Sequence, residues 1–284
     1  MSCPLFRQVS IVGLGLIGGS LGMALRQKKI ARRVVGFSRH PETIRRAKAR
    51  GAIRDGDTKL CTDWLGASDL VILAVPPERV LPIAQKIVRL THHRFILTDV
   101  ASTKAWIVQS LDRMLPKRIA FIGSHPMAGS QRSGIEAADP HLFHQAVCIL
   151  TPTARTDPKA LWQVARMWEC LGSRVERISP QNHDRLVAQI SHLPHLVASA
   201  LTLTPSPKAL QLVGSGFLDT TRIAASDPDL WIQILATNRA MVLKALMRHM
   251  TQLALLTRLI RLGQMSKMRR WLRAAQRRRM RLDR

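Results

Sequence analysis

The chain predicts an α/β fold: an N-terminal Rossmann-type doubly wound, mainly parallel sheet, followed by an all-helical domain. Three observations carry that expectation. Short apolar, β-branched runs alternate with helical stretches through the first half, as strands buried on both faces of a parallel sheet require. A GxGxxG turn follows the first of those runs and opens a helix. From Ser179 onward the alternation stops and only helical periodicity remains.

The strand-like runs, in order, are Val9–Val12, Arg33–Gly36, Leu70–Val75, Phe95–Leu97, Ile119–Ile122 and Val147–Leu150, with Arg174–Ile178 closing the sheet. Helices are expected over Leu16–Gln27, Pro41–Ala49, Glu78–Leu90, Thr103–Met114 and Pro158–Leu171. In the second half Asn182–Leu203, Lys208–Val213, Asp229–Arg248 and Thr251–Gly263 carry apolar residues three and four apart, interrupted by Pro205, Pro207 and a Gly214–Gly216 turn. Pro194 is expected to kink the first of these helices. The division that follows is 1–178 for the nucleotide-binding domain, 179–263 for a helical dimerisation and substrate domain, and 264–284 for a basic tail.

Composition bounds the rest. The 284 residues include 44 Lys and Arg against 18 Asp and Glu, a formal net charge of +26, yet 46% are hydrophobic, which supplies a core and excludes a disordered chain. Cys3, Cys61, Cys148 and Cys170 are far apart, without a CxxC pair or a Cys/His cluster of zinc spacing, so neither a disulfide framework nor a metal site is expected. No run reads as the roughly 18 apolar residues of a membrane span, and the first strand begins near Gln8 with no signal-peptide pattern before it. A cytoplasmic protein without membrane association is the expectation.

The sharpest local signal is Gly13-Leu-Gly15-Leu16-Ile17-Gly18. Gly13 permits a tight turn, Gly15 lets backbone approach a pyrophosphate, and Gly18 allows close helix-to-strand packing, while the helix N-terminus at Leu16 and Ile17 offers free N–H groups to an anion. Val75, ending the third apolar run, is assigned to the same cofactor site. About 20 residues past Gly18, where a carboxylate usually meets the ribose hydroxyls, the chain reads Gly36-Phe37-Ser38-Arg39-His40. A hydroxyl beside a guanidinium suits a 2′-phosphate, so NADP is the expected cofactor, held in part by Ser38, Arg39 and His40.

Further stretches stand where an open α/β sheet presents its ligands: Asp99-Val-Ala-Ser102-Thr-Lys104 and Gly123-Ser-His125-Pro-Met-Ala-Gly129-Ser130. With Ser191-His192-Leu-Pro-His195 and Gly216-Phe-Leu-Asp219-Thr-Thr-Arg222, they resemble the prephenate and arogenate dehydrogenase family over about residues 8 to 250. The resemblance implies a helical dimerisation domain, hence a homodimer, and an oxidative decarboxylation. In that reaction a cyclohexadienol loses a hydride from C4 and its C1 carboxylate as carbon dioxide. It implies His125 as the catalytic base, Ser102 as the serine that hydrogen-bonds the base, the substrate hydroxyl and the cofactor side of the site, and Arg222 as the ring-carboxylate clamp. It places His195 near the substrate's side-chain carboxyl, with His192 on the same helical face; no third ligand accompanies them, so a metal is not expected. Lys104 is read either as a cofactor-positioning residue or as a partner of Asp99.

The sequence departs from the family pattern at Leu218, where relatives often carry Lys or Arg, and in its tail. Residues 264–284 bear nine basic side chains against Asp283 and are expected to form a solvated appendage with weak, salt-sensitive polyanion binding. NADP and the absence of fused domains favour arogenate over prephenate as substrate. A hydroxy-acid dehydrogenase and a polyanion-binding protein with a vestigial nucleotide fold are the competing classes.

Overall fold

A computed structural model describes residues 4–130 and 132–282. Cys3, Asp283 and Arg284, which entered the readings above, lie outside the described residues. The strands are β1 (Phe6–Val12), β2 (Ala31–Phe37), β3 (Asp55–Asp57), β4 (Leu70–Leu73), β5 (Phe95–Asp99), β6 (Ile119–Pro126), β7 (Val147–Thr151) and β8 (Arg174–Arg177). The helices between them are α1 (Leu16–Gln27), α2 (Pro41–Ala49), α3 (Thr62–Gly66), α4 (Pro77–Leu90), α5 (Ala105–Met114) and α6 (Pro158–Cys170).

These strands form one sheet in the order β3-β2-β1-β4-β5-β6-β7-β8. β1 to β6 run parallel, β7 is antiparallel to β6, and β8 is parallel to β7. The strand order reverses direction between β1 and β4, which is the switch point where such sheets open a ligand crevice. Alternation along the strands explains the two cores. Val9, Ile11, Val34, Leu70 and Ile72 point to one face and pack with α1, α2 and α6, whereas Val35, Val71, Leu73 and Leu97 point to the other and pack with α3, α4 and α5. Burial on both faces is why these strands read as unbroken apolar runs.

Beyond the sheet come α7 (Pro180–Val187), α8 (Leu193–Leu203), α9 (Pro207–Leu210), α10 (Ser215–Thr221), α11 (Pro228–Thr237), α12 (Arg239–Arg261) and α13 (Met265–Met280). Ser179 starts α7 by accepting from the Asn182 N–H, with Pro180 in the first turn where its missing N–H costs nothing. Residues Met1–Asn238 and Arg239–Arg284 form two compact units, each described here by itself. In the second, α12 and α13 are separated at Gly263, whose φ of +60° is the left-handed conformation common just past a helix end.

Three expectations change. The helical run Pro180–Leu203 is 24 residues long with a hydropathy of 1.3, so it does pass the length and composition test for a membrane span. Its inward face nevertheless buries His183, Asp184, His192 and His195, which are polar groups. Just before Pro194 the run contains a π turn over Ala188–His192, in which the Leu193 N–H reaches the Ala188 carbonyl. The expected division near Thr251 is absent, because the Thr251 hydroxyl donates to the Met247 carbonyl inside a continuous α12, and the break falls at Asn238. Finally, Gly214–Gly216 is no simple turn: Gly214 is the N-cap of α10, and the basic segment is mostly the exposed helix α13.

Candidate active site

The glycine turn has the geometry its sequence foretells. Gly13 sits at φ +96°, and a Cβ there would lie 2.2 Å from the Ala74 carbonyl oxygen. A Cβ on Gly18 would meet the Gly13 carbonyl oxygen at 1.9 Å, so strand and helix approach more closely than any side chain permits. Around Gly15 nothing lies within 4 Å of a Cβ position, and the first turn of α1 carries no acidic residue. This open N-terminus borders a cavity of about 710 Å³ that Val75, Ser38, Arg39 and His40 also line. Two cations missed in the sequence, Arg79 and Lys86 of α4, line it too, with Glu78 the one carboxylate among the lining residues. Arg39 is exposed and has no ion-pair partner among the described residues. Ser38 accepts from the His40 N–H at 3.3 Å, which folds the segment into a short turn. The pattern fits a dinucleotide.

On the same carboxyl edge of the sheet, β6 extends through His125 and Pro126 because β7 pairs with it antiparallel from Gly123 to Pro126. His125 therefore belongs to a strand, not to the loop expected after it. Successive residues face opposite sides: the Ser124 hydroxyl pairs with that of Thr98 at 2.8 Å, while His125 Nδ1 meets His183 Nε2 of α7 at 2.7 Å. His183 Nδ1 in turn donates to Asp184 at 2.7 Å. The Asp184 carboxylate caps α5, accepting from the Lys104 N–H at 2.8 Å and the Ala105 N–H at 2.9 Å. That cap explains why α5 begins at Ala105 and why neither Ser102 nor Thr103 is needed to start it.

Ser102 is half-buried, and the hydrogen bond to His125 implied by the family resemblance is not among the described contacts, in which His183 engages His125 Nδ1. Lys104 and Asp99 are both fully buried and form an ion pair with each other. The Asp99 carboxylate also accepts from the Ala101 backbone N–H. Burial pushes Lys104 down and Asp99 up, and each partner opposes the other's shift.

His192 and His195 lie side by side with Trp231 of α11, which stacks on the His195 ring at 3.5 Å and meets His192 edge-on at 6.0 Å. Asn238 donates to the Asp184 carbonyl at 2.8 Å and pairs with His192 Nδ1 at 3.3 Å, tying this histidine to the His183 network. The Ile223 carbonyl, next in the chain to Arg222, favours the protonated His195 ring, against the larger effect of burial. Arg222 is exposed at the end of α10. Burial lowers the pKa of all four histidines: His125 falls well below 6.5, helped by His183, Lys104 and His192, and His192 is pushed down to about 4. The site thus presents neutral imidazoles at neutral pH, which are proton acceptors. No group of three or more His, Cys, Asp or Glu suited to a metal occurs among the described residues.

A nucleotide crevice at the switch point of a doubly wound sheet, with a histidine-rich pocket completed by helices, defines the class of two-domain dinucleotide-dependent oxidoreductases. The family models for the prephenate dehydrogenase nucleotide-binding domain and dimerization domain match residues 21–177 and 179–274. The chain belongs to the prephenate dehydrogenase family, which includes arogenate dehydrogenases. The second match runs to residue 274 and so takes in the first part of the basic segment.

The chain is 35% identical over 242 residues to the prephenate dehydrogenase of Bacillus subtilis, covering 83% of this chain and 65% of that protein, so it spans about two thirds of that relative. It is 32% identical to the cyclohexadienyl dehydrogenase of Zymomonas mobilis, covering 85% and 84%. Among solved structures, it resembles prephenate dehydrogenase from Aquifex aeolicus in complex with hydroxyphenyl propionate and NAD+, at a TM-score of 0.91, 35% identity and 99% coverage of each chain. Synechocystis arogenate dehydrogenase superposes at 0.80 with 32% identity, covering 94% of this chain and 96% of that one. A 3-hydroxyisobutyrate dehydrogenase from Salmonella typhimurium, 14% identical with a TM-score of 0.62, shares the fold alone.

Proposed function

We propose that the chain is an NADP-dependent dehydrogenase that oxidatively decarboxylates L-arogenate to L-tyrosine. The observation that carries this reading is a buried, neutral His125 on the carboxyl edge of the sheet whose glycine turn shapes the dinucleotide cavity. When bound, the nicotinamide accepts the hydride from ring C4. As that hydride departs, positive charge grows at the hydroxyl-bearing carbon and the hydroxyl proton passes to His125 Nε2. Arg222 holds the ring carboxylate until it leaves as carbon dioxide, with His195 and His192 at the side-chain end and Ser102 beside the hydroxyl. Gly13, Gly15, Leu16, Ile17, Gly18 and Val75 bind the pyrophosphate side of the cofactor.

NADP follows from Ser38, Arg39 and His40, now joined by Arg79 and Lys86 around the same cavity. Arg39→Ala raises the NADP Michaelis constant at least tenfold, about 1.4 kcal/mol, and leaves that for NAD nearly unchanged. Equal effects on the two cofactors would remove the assignment.

Arogenate is supported by the near-complete superposition on the Synechocystis enzyme. A second reading, prephenate as substrate, is favoured by the names of the Bacillus subtilis and Aquifex aeolicus relatives. NADP reduction by the purified protein with each compound side by side decides between them: the higher kcat/KM names the substrate.

The working form in this reading is a homodimer. Its support is the dimerization-domain match and the apolar Leu243, Met247, Met250 and Leu253, which lie exposed along α12 of a single copy. Sedimentation at micromolar concentration should give twice the chain mass. Exposed arginines of α13 supply weak polyanion binding that fades with salt.

A further inference from the structure

We infer that His183 and Asp184 are positioning residues that fix the tautomer of His125 and stabilise the imidazolium it becomes. This rests on the reading of His125 as the base. The argument runs outward from α5. Two N–H groups at its N-terminus fix the Asp184 carboxylate, where negative charge is also favoured by the helix dipole. That carboxylate holds the proton of His183 on Nδ1, at 2.7 Å. In a neutral ring the other nitrogen must then be an acceptor, so His183 Nε2 takes a hydrogen bond from His125 Nδ1–H, also at 2.7 Å. Each assignment forces the next, and the chain ends with a bare lone pair on His125 Nε2.

That tautomer is the one a base needs. When the substrate's O–H bond breaks, an N–H bond forms at His125 Nε2, and the ring becomes a cation in a setting otherwise hostile to it. Facing it are the Lys104 and Asp99 pair from β5 and the start of α5, Cys148 from β7, His183 and Asp184 from α7, and His192 from the π turn. Only the line through His183 to the Asp184 carboxylate answers the new charge with a hydrogen bond at each step, the role a buried carboxylate plays behind a catalytic imidazole. Asn238 braces the arrangement by donating to the Asp184 carbonyl.

The test combines a spectroscopic signature with two substitutions in the full chain. In 15N-histidine NMR of the wild-type protein with NADP, His125 should show a protonated Nδ1 and an unprotonated Nε2. His183→Phe keeps a ring but offers no hydrogen bond. It should lower kcat about 10- to 100-fold with KM for substrate and NADP within about twofold, and move the acid limb of kcat. His183→Gln, whose amide can accept from His125 and donate to Asp184, should recover kcat to within about fivefold of wild type. An Nε2–H tautomer on wild-type His125 overturns the inference, as does equal loss in the two variants or a loss confined to KM. If neither variant folds, the tautomer alone decides. Failure of the base assignment shows separately, as full turnover in His125→Asn.

Discussion

His125→Asn should lower turnover by about 10² to 10⁴ while leaving the fold and the cofactor affinity intact, the usual contribution of a positioned general base. Asparagine keeps a polar group of similar reach on β6 but cannot take up a proton near neutral pH. The pH profile makes the test specific. Burial, His183, Lys104 and His192 all lower the His125 pKa, so in the free enzyme it stays a competent base to well below 6.5. The wild-type kcat/KM should therefore hold through neutrality and fall only at pH below 6.5, as the imidazole is protonated. In the variant that limb disappears. Retained turnover with only a weakened substrate KM would make His125 a binding residue and turn attention to His195.

The second large effect is on stability. Lys104→Met leaves the Asp99 carboxylate in the core without its counter-ion, and breaking a buried pair in this way costs about 3–5 kcal/mol. Both side chains are fully buried and one Asp99 oxygen already lacks a partner, so no solvent is at hand to compensate. The double variant Lys104→Met, Asp99→Asn removes both charges and should recover at least half of the loss, because a neutral amide is far cheaper to bury than a lone carboxylate. Urea midpoints of the single and double variants check this. A single variant within about 1 kcal/mol of wild type would mean that the pair contributes little to the fold.

The sheet was legible because its strands are buried on both faces and so read as apolar runs; all seven that were expected are present. β3 was not, since Asp55-Gly56-Asp57 contains no apolar side chain and pairs through backbone with Val35, Gly36 and Phe37 at the sheet edge. The short helix α3 escaped for a similar reason, being five residues with a single buried one, Leu65. Within the site, the glycine turn and the Ser38 to His40 segment declare themselves because their chemistry is local. His183 and Asp184 do not: their partners lie 58 and 80 residues away, and in sequence they look like the polar first turn of a helix after Ser179. Arg79 and Lys86 were invisible among 44 basic residues until α4 placed them at the cavity. Trp231 reads as an ordinary apolar residue of α11 until its ring is found stacked on His195.

The π turn at Ala188–His192 sets the angular phase of everything beyond it. An unbroken α-helix advances about 100° per residue, so the 12 steps from His183 to His195 would leave these side chains about 120° apart around the axis. The extra residue that a π turn accommodates takes up about 100° of that, bringing His195 to within about 20° of the His183 direction. One added residue thus gathers the histidine that meets the base and the histidine that meets Trp231 onto a single stripe. A one-residue deletion within Ala188–Ser191 would restore ideal helix geometry while keeping His195 in phase, since 11 steps of about 100° again end about 20° from His183, whereas straightening the turn at full length would swing His195 and all of α8 about 100° out of step with the sheet.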